Sequence, residues 1–219
     1  MTIMHQTAHE QGDVPPQLER EWRLFQRFEA GAPGHGCMTW ESRQAVVVLG
    51  RNSRPGDHVI IEACLEDGVP ILRRCSGGGA VVLAPGCLNY AIGVSLVSYP
   101  SLVDVGHSME VILGRTAEAL AITGLRIAGD ADLALDNRKV SGNAQRRGRR
   151  ALLHHGTLLY AFDRTLARRY LREPVRQPGY RGRRFHTDFI GNLPLSKDAL
   201  EAAVSMAWRD LDTRFGARS

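Results

Sequence analysis

Apolar positions follow two rhythms along this chain. Leu18, Trp22 and Phe25 recur at helical spacing, as do Leu24 and Phe28, and predict a helix over about 17–29. The segment 31–36, GAPGHG, reads as a loop. Met38–Glu41 and Gln44–Gly50 predict two strands joined by a tight turn. A short amphipathic helix follows over about 57–67, with Val59, Ile60, Ala63 and Cys64 on one side. The next block reads as strands: Val69–Arg73, then Ala80–Leu83 after a glycine run, then Leu88–Val94 after a Pro85-Gly86 turn. Val105, Met109, Ile112, Leu113, Ala117 and Leu120 form the stripe of a long helix over 104–123, with Gly124 as its stop. Four short strands are predicted over 125–128, 131–135, 138–144 and 151–162, then a helix over 164–171. Residues 172–186, rich in Arg, Pro and Gly, predict a mobile loop. Ser196 predicts the cap of a last helix, with Asp198 in its first turn and Leu200, Val204, Trp208 and Leu211 on its buried face. Many short strands that do not alternate regularly with helices predict an α+β fold, with a mostly antiparallel sheet flanked by helices.

Length and composition narrow this reading. At roughly 100–200 residues per domain, 219 residues predict a polar, flexible tail over 1–16 and a single domain over 17–219. No apolar run reaches the ~18–20 residues of a membrane span. The start, MTIMHQTAHEQGD, lacks the basic flank and apolar block of a secretory signal, so a cytoplasmic protein is expected. Cys37, Cys64, Cys75 and Cys87 form no CxxC and no zinc spacing, and read as buried or half-buried thiols. The formal charge is +5, but only Lys139 and Lys197 among the 28 bases are lysine. Arginine is a planar fork and lysine a point charge, so the setting of each lysine is informative. Lys197 sits near a helix start and reads as surface. Lys139 lies in a basic segment rich in Gly, Ser and Asn.

Three blocks carry candidate chemistry. Arg73-Arg74-Cys75-Ser76-Gly77-Gly78-Gly79-Ala80-Val81 sets three glycines between two strands. Such a run lets backbone N–H groups approach a ligand and form an anion nest, and the arginines add charge for a phosphate or carboxylate. It is neither GxxxxGK[ST] nor GxGxxG; the plain alternative is a flexible hairpin turn. In the second block, Asp136–Gln145, Lys139 stands near a strand start. It suits bridging a carboxylate and a phosphate; a Schiff-base role or a solvent-facing edge lysine are the alternatives. The third block, His154-His155-Gly156-Thr157, offers metal ligands, a general base or hydrogen-bonded histidines, and no further ligand has matching spacing. The arginines of RRGRR (146–150) and of 164–184 suit an acidic partner or ATP phosphates. Few aromatics interleave with them, so nucleic acid is not expected.

In order and with similar gaps, RRCSGGGAV, NRKVSGNAQ and HHGTLLYAFD resemble the catalytic domain of lipoate–protein ligases. That domain shares its fold with biotin ligases and octanoyltransferases, and the likeness covers about residues 17–215. It implies a two-step reaction: lipoate or octanoate and ATP give an acyl-adenylate and pyrophosphate, then a lysine of a lipoyl-carrier protein takes the acyl group and AMP leaves. By the same resemblance, Arg74, Gly79, Ala80, Val81 and Val82 hold the nucleotide. Lys139 is the catalytic residue, touching both the acyl carboxylate and the α-phosphate. Asp132, in ADLAL, lies near the adenylate and helps place Mg²⁺. Arg73, Ser76, Gly77, Gly78, Ser141, Gly142, His155 and Gly156 line the acyl substrate. The chain departs from the family in two places. Val82-Leu83-Ala84-Pro85 follows the glycine run where many members have a histidine and an acid, and Glu21-Trp22-Arg23 stands where relatives often have Asn, Ala and Glu. With an end at Ser219, no C-terminal accessory domain is expected; a separate accessory subunit or a compact variant would account for that. The 172–184 loop is expected to cover the adenylate or dock the carrier. The nearest rival is an ATP-independent acyl transferase, whose cysteine lies shortly before the lysine block or after the GTL strand, where this chain has none. Biotin ligase, whose GRGRx loop is absent, and a non-catalytic carrier- or nucleic-acid-binding relative are the others.

Overall fold

In a computed structural model, residues 16–209 are described, with 211 and 215. The segment expected as a tail lies outside the described residues but for Pro16, which opens helix α1 (Pro16–Glu29). Then come β1 (His35–Glu41), β2 (Val46–Leu49), α2 (Pro55–His58), α3 (Ile61–Glu66), β3 (Ile71–Arg73), β4 (Ala80–Leu83) and β5 (Cys87–Ser95). After a 3-10 turn at Pro100–Val103 follow α4 (Val105–Leu120), β6 (Arg126–Ala128), β7 (Asp132–Leu135), β8 (Arg138–Arg147), β9 (Ala151–Leu159) and α5 (Arg164–Tyr170). A second 3-10 turn at Gly179–Arg181, α6 (His186–Phe189) and α7 (Lys197–Ala207) complete the order.

Six strands pair antiparallel throughout in the order β1-β5-β9-β8-β7-β6. A smaller sheet runs β3-β2-β4, with β2 parallel to β3 and antiparallel to β4. The α+β expectation, with a mostly antiparallel sheet flanked by helices, therefore holds. Side chains alternate across the large sheet. Leu88, Tyr90, Ile92 and Val94 of β5 join the core under α4 and α7, while Ala91 joins Phe25 and Phe28 of α1. Covered on both faces, β5 is buried at every position, which is why it reads as a mainly apolar run.

Helix α1 seats on a pair of facing glycines, Gly36 and Gly93. A Cβ at Gly93 would lie 2.7 Å from Leu24 and 2.9 Å from Phe28. The missing side chains let the helix close on the sheet. Its last residue, Glu29, accepts the backbone N–H groups of Arg149, Arg150 and Ala151. That contact uses part of RRGRR to fix the β8–β9 turn.

Several boundaries differ from expectation. The strands on either side of residues 42–45 are not a hairpin: β1 pairs with β5, and β2 with β3 and β4. His35 and Gly36, expected in a loop, pair within β1. The helix expected over 57–67 breaks at Val59, which turns extended and bridges Leu171. Helix α4 stops at Ala121, which takes a left-handed conformation (φ 50°), three residues before Gly124. Segment 172–186 is tied down: Arg184 donates to the Asn137 carbonyl and Tyr180 to Asp132. Ser196 caps α7 as expected, accepting from the Ala199 N–H. No helix among the described residues is long and apolar enough to cross a membrane.

Candidate functional site

A cleft opens between α1, the small sheet and the β8–β9 pair. Leu18 and Glu21 of α1, Trp40 of β1, and Arg74 with the glycine run line one part. Lys139, Gly142 and Asn143 of β8 and His155 and Gly156 of β9 line the other.

Lys139 owes its place to a tight turn and an irregular pairing. Asp136 and Asn137 both take left-handed backbone (φ 49° and 59°), as a two-residue hairpin of the primed type requires. Two residues on, the β7–β8 register shifts: Leu133 pairs with Ser141, but Ala134 pairs with Lys139. Val140 is the extra residue of a β-bulge. In a regular strand, positions three apart face opposite sides. Here Lys139 and Gly142 both face the cleft, and a Cβ at Gly142 would lie 2.7 Å from the lysine Nζ. Lys139 Nζ lies 2.7 Å from Asp132 Oδ1, and Tyr180 donates to Oδ2 at 2.7 Å. Burial, then the Asp132 charge, pushes the Tyr180 phenol far above its usual range. Both Asp132 oxygens are thus engaged, and a magnesium ion there would have to displace Lys139 or Tyr180. Among the described residues no group of three His, Cys, Asp or Glu could hold a metal. The residues therefore do not fit a magnesium site built on Asp132.

The glycine run closes tightly on its neighbour loop. A Cβ at Gly50 would sit 1.9 Å from the Gly78 carbonyl oxygen. Gly78 itself is left-handed (φ 93°), which suits glycine. Arg74 donates to the Gly77 carbonyl at 2.6 Å, to Val48 O at 3.2 Å and to Ser76 Oγ at 3.0 Å. Burial draws its guanidinium down to about 10, so it stays charged at neutral pH. Arg73 points elsewhere and donates to the carbonyls of Gly50, Arg51 and Ser53.

The two histidines part company because strand neighbours face opposite sides. His154 is fully buried under α4, near the Tyr90 hydroxyl at 3.3 Å and the Gln145 amide at 3.4 Å. Burial, with His155 next to it, holds its pKa down at about 3. His155 faces α1: Nδ1 lies 2.6 Å from Glu21 Oε2, and Nε2 lies 2.6 Å from Ser76 Oγ. Trp40 Nε1–H donates to the other Glu21 oxygen at 2.8 Å. Asn143 accepts from the Tyr90 hydroxyl at 2.5 Å and donates to Ala131 O and Ser141 Oγ.

Of the residues singled out from sequence, the cleft gathers Arg74, Gly78, Gly79, Ala80, Val81, Lys139, Gly142, His155 and Gly156. Six others are placed behind it or away from it, among them Gly77, whose carbonyl is held by Arg74. Ser76 and Ser141 are buried in hydrogen bonds, Val82 is turned into the small sheet's core, and Asp132 stands behind Lys139. Arg73 braces the 50–53 loop. Glu21, Trp40 and Asn143 were not anticipated. Glu21 left a trace in sequence, as a carboxylate inside the apolar stripe of α1; Asn143 lies within the Asp136–Gln145 block, with no role assigned to it there.

A family model, the lipoyl protein ligase A/B catalytic domain, matches residues 13–193. The chain belongs to this family. Among curated proteins it is 30% identical to the putative lipoate-protein ligase A of Schizosaccharomyces pombe, over 63% of this chain and 37% of that protein. It is 30% identical to the lipoate-protein ligase LplJ of Bacillus subtilis, over 53% of this chain and 34% of that protein. An octanoyl-[GcvH]:protein N-octanoyltransferase of Kyrpidia tusciae is 27% identical over 84% of this chain and 66% of that protein. The chain thus spans well under half the length of the two ligases. Among solved structures, a bipartite lipoate protein ligase of Thermoplasma acidophilum shares the fold with a TM-score of 0.73 and 19% identity, over 87% of this chain and 76% of that one. A lipoate-protein ligase A bound with ATP gives a TM-score of 0.71 at 19% identity, over 87% and 77%. The fold is that of the lipoate ligases, and the family includes both ligases and acyl transferases.

Proposed function

We propose that this chain is the catalytic domain of an ATP-dependent lipoate–protein ligase. The acyl carboxylate attacks the α-phosphorus of ATP and pyrophosphate leaves. A carrier lysine amine then attacks the acyl carbonyl, the anhydride C–O bond breaks, and AMP leaves as the amide forms. The first step brings anion against anion, so its barrier is governed by neutralising charge where the reactants meet. Lys139 supplies a point charge on a single carboxylate leash, Arg74 supplies a second cation, and the glycine run supplies N–H groups. Magnesium would enter on the nucleotide, not on a protein cage.

The observation that favours a ligase over a thiol-based transferase is the state of the four cysteines. None lines the cleft. Burial pushes Cys37 and Cys87 up to about 12, and Cys64 and Cys75 up to about 11, so none is a ready thiolate. A carrier-protein partner is proposed with the reaction. A separate accessory subunit is proposed because the T. acidophilum relative is bipartite.

The test supplies free lipoate and an unmodified carrier, with and without ATP, and reads intact mass and pyrophosphate. Acylation that needs ATP and releases pyrophosphate is expected. Acylation from an octanoylated carrier without ATP would make the chain a transferase.

A further inference from the structure

One buried chain of hydrogen bonds ends at Arg74 and begins on a helix that carries no obvious chemistry. Glu21 is 3% exposed, in the apolar stripe of α1. It faces His155 Nδ1 at 2.6 Å, and His155 Nε2 faces Ser76 Oγ at 2.6 Å. Ser76 is 1% exposed, and its Oγ accepts the Arg74 Nε–H at 3.0 Å. The donors fall into one direction. A carboxylate only accepts, so Nδ1 carries the ring hydrogen. Arg74 fills a lone pair of Ser76, whose own hydrogen is free to go to Nε2. The sense is Arg74 to Ser76 to His155 to Glu21, with Trp40 completing the carboxylate from the other side.

A serine, a histidine and a carboxylate in this order have the connectivity of an acyl-transfer triad. Here the serine is shut off from the cleft, and a guanidinium occupies its oxygen, so it does not act as a nucleophile. The chain does something else. It joins a half-buried cation at the cleft wall to a buried anion across neutral links, leaving neither charge uncompensated.

We infer that Glu21 and Ser76 are positioning residues, which act through His155 and one another to hold the Arg74 guanidinium, and the Gly77 carbonyl it grips, in place for an incoming anion. This rests on the reading of the cleft as a nucleotide and acyl-carboxylate site. The backbone reaches Nε of Arg74 only through a longer shared contact, to the Gly77 carbonyl at 3.2 Å; the relay supplies the shorter bond, to Ser76 at 3.0 Å, and fixes the third direction.

The test uses Glu21→Gln, Ser76→Ala and Arg74→Ala in the full chain, alone and combined. Ser76→Ala cuts the relay at its outer end and keeps the Glu21–His155–Trp40 cluster, so it serves even where Glu21→Gln fails to fold. Solvent exchange of the Arg74 Nε–H, read by nitrogen NMR without nucleotide, is expected to quicken at least tenfold in both variants. ATP binding is expected to weaken roughly tenfold or more, the cost of a hydrogen bond to a charged group. Neither change is expected to weaken it further in the Arg74→Ala background, because both act through that side chain. Unchanged Nε–H exchange in both variants would overturn the relay. So would an equal loss of ATP affinity from Glu21→Gln with Arg74 already gone. If the parent protein binds no ATP, the functional reading falls, and the exchange measurement still decides the relay.

Discussion

Lys139 is the residue on which the proposed chemistry turns. It is half-buried, paired with Asp132 behind it, and faces Gly142. Lys139→Ala should lower the rate of pyrophosphate release by at least ~10²–10³, the usual cost of losing one electrostatic contact in a transition state. Thermal unfolding should stay near that of the parent. Lys139→Arg should fail as well, because a planar fork cannot stand in for a point charge between two oxygens. Near-normal pyrophosphate release from folded Lys139→Ala would remove the lysine from the reaction. Gly156 makes a different demand: a Cβ there would lie 1.8 Å from Asn143 Oδ1 and 3.0 Å from Tyr90. Gly156→Ala should cost about 1–3 kcal/mol in urea unfolding, as overpacking does. Lysine scarcity made position 139 legible in the sequence. The role of Asn143 was not legible, because its value lies in partners on β5, in the turn before β7 and on its own strand.

At the level of elements, α1 depends on what the sheet beneath it lacks. Gly93→Ala should push Leu24 and Phe28 off their seat and cost about 1–3 kcal/mol, measured as a shift in the denaturant midpoint at unchanged slope. Helix periodicity and the glycine-bounded strands could be read from local sequence because they obey local rules. Strand partners could not. Residues 42–45 look like a hairpin turn, yet β1 goes to β5 and β2 to β3 and β4. That choice is made by burial: β2 is buried at every position and takes the centre of its own sheet. The break at Val59 has the same origin, a bridge to Leu171 more than a hundred residues away.

Across the whole molecule, two helices cover one face of the large sheet and α1 the other, so the adjacent histidines have separate fates. His154 ionises near 6.5 when unfolded and at about 3 when folded. The unfolded state therefore binds its proton first, and stability is lost as pH falls from about 6.5 toward 3. From pH 7 to about 5 this residue should cost about 2 kcal/mol. Urea unfolding of His154→Gln at both pH values should show a correspondingly shallower loss. An identical loss in the variant would place the proton elsewhere. A mostly antiparallel sheet flanked by helices was predictable from the order of helices and strands. The cleft between the two sheets was not, since it exists only once β1 and β2 separate.

Val140 has no chemistry of its own, but it sets the phase of everything after it on β8. Delete that one methyl-branched residue and the pleat would regain its even count. The ammonium and Gly142 would then stand two apart and still share a side, with Ala134–Lys139 and Leu133–Ser141 as consecutive pairs. A relative one residue shorter here would thus show its cleft the same two groups, and an ungapped comparison of the two strands would misplace one of them.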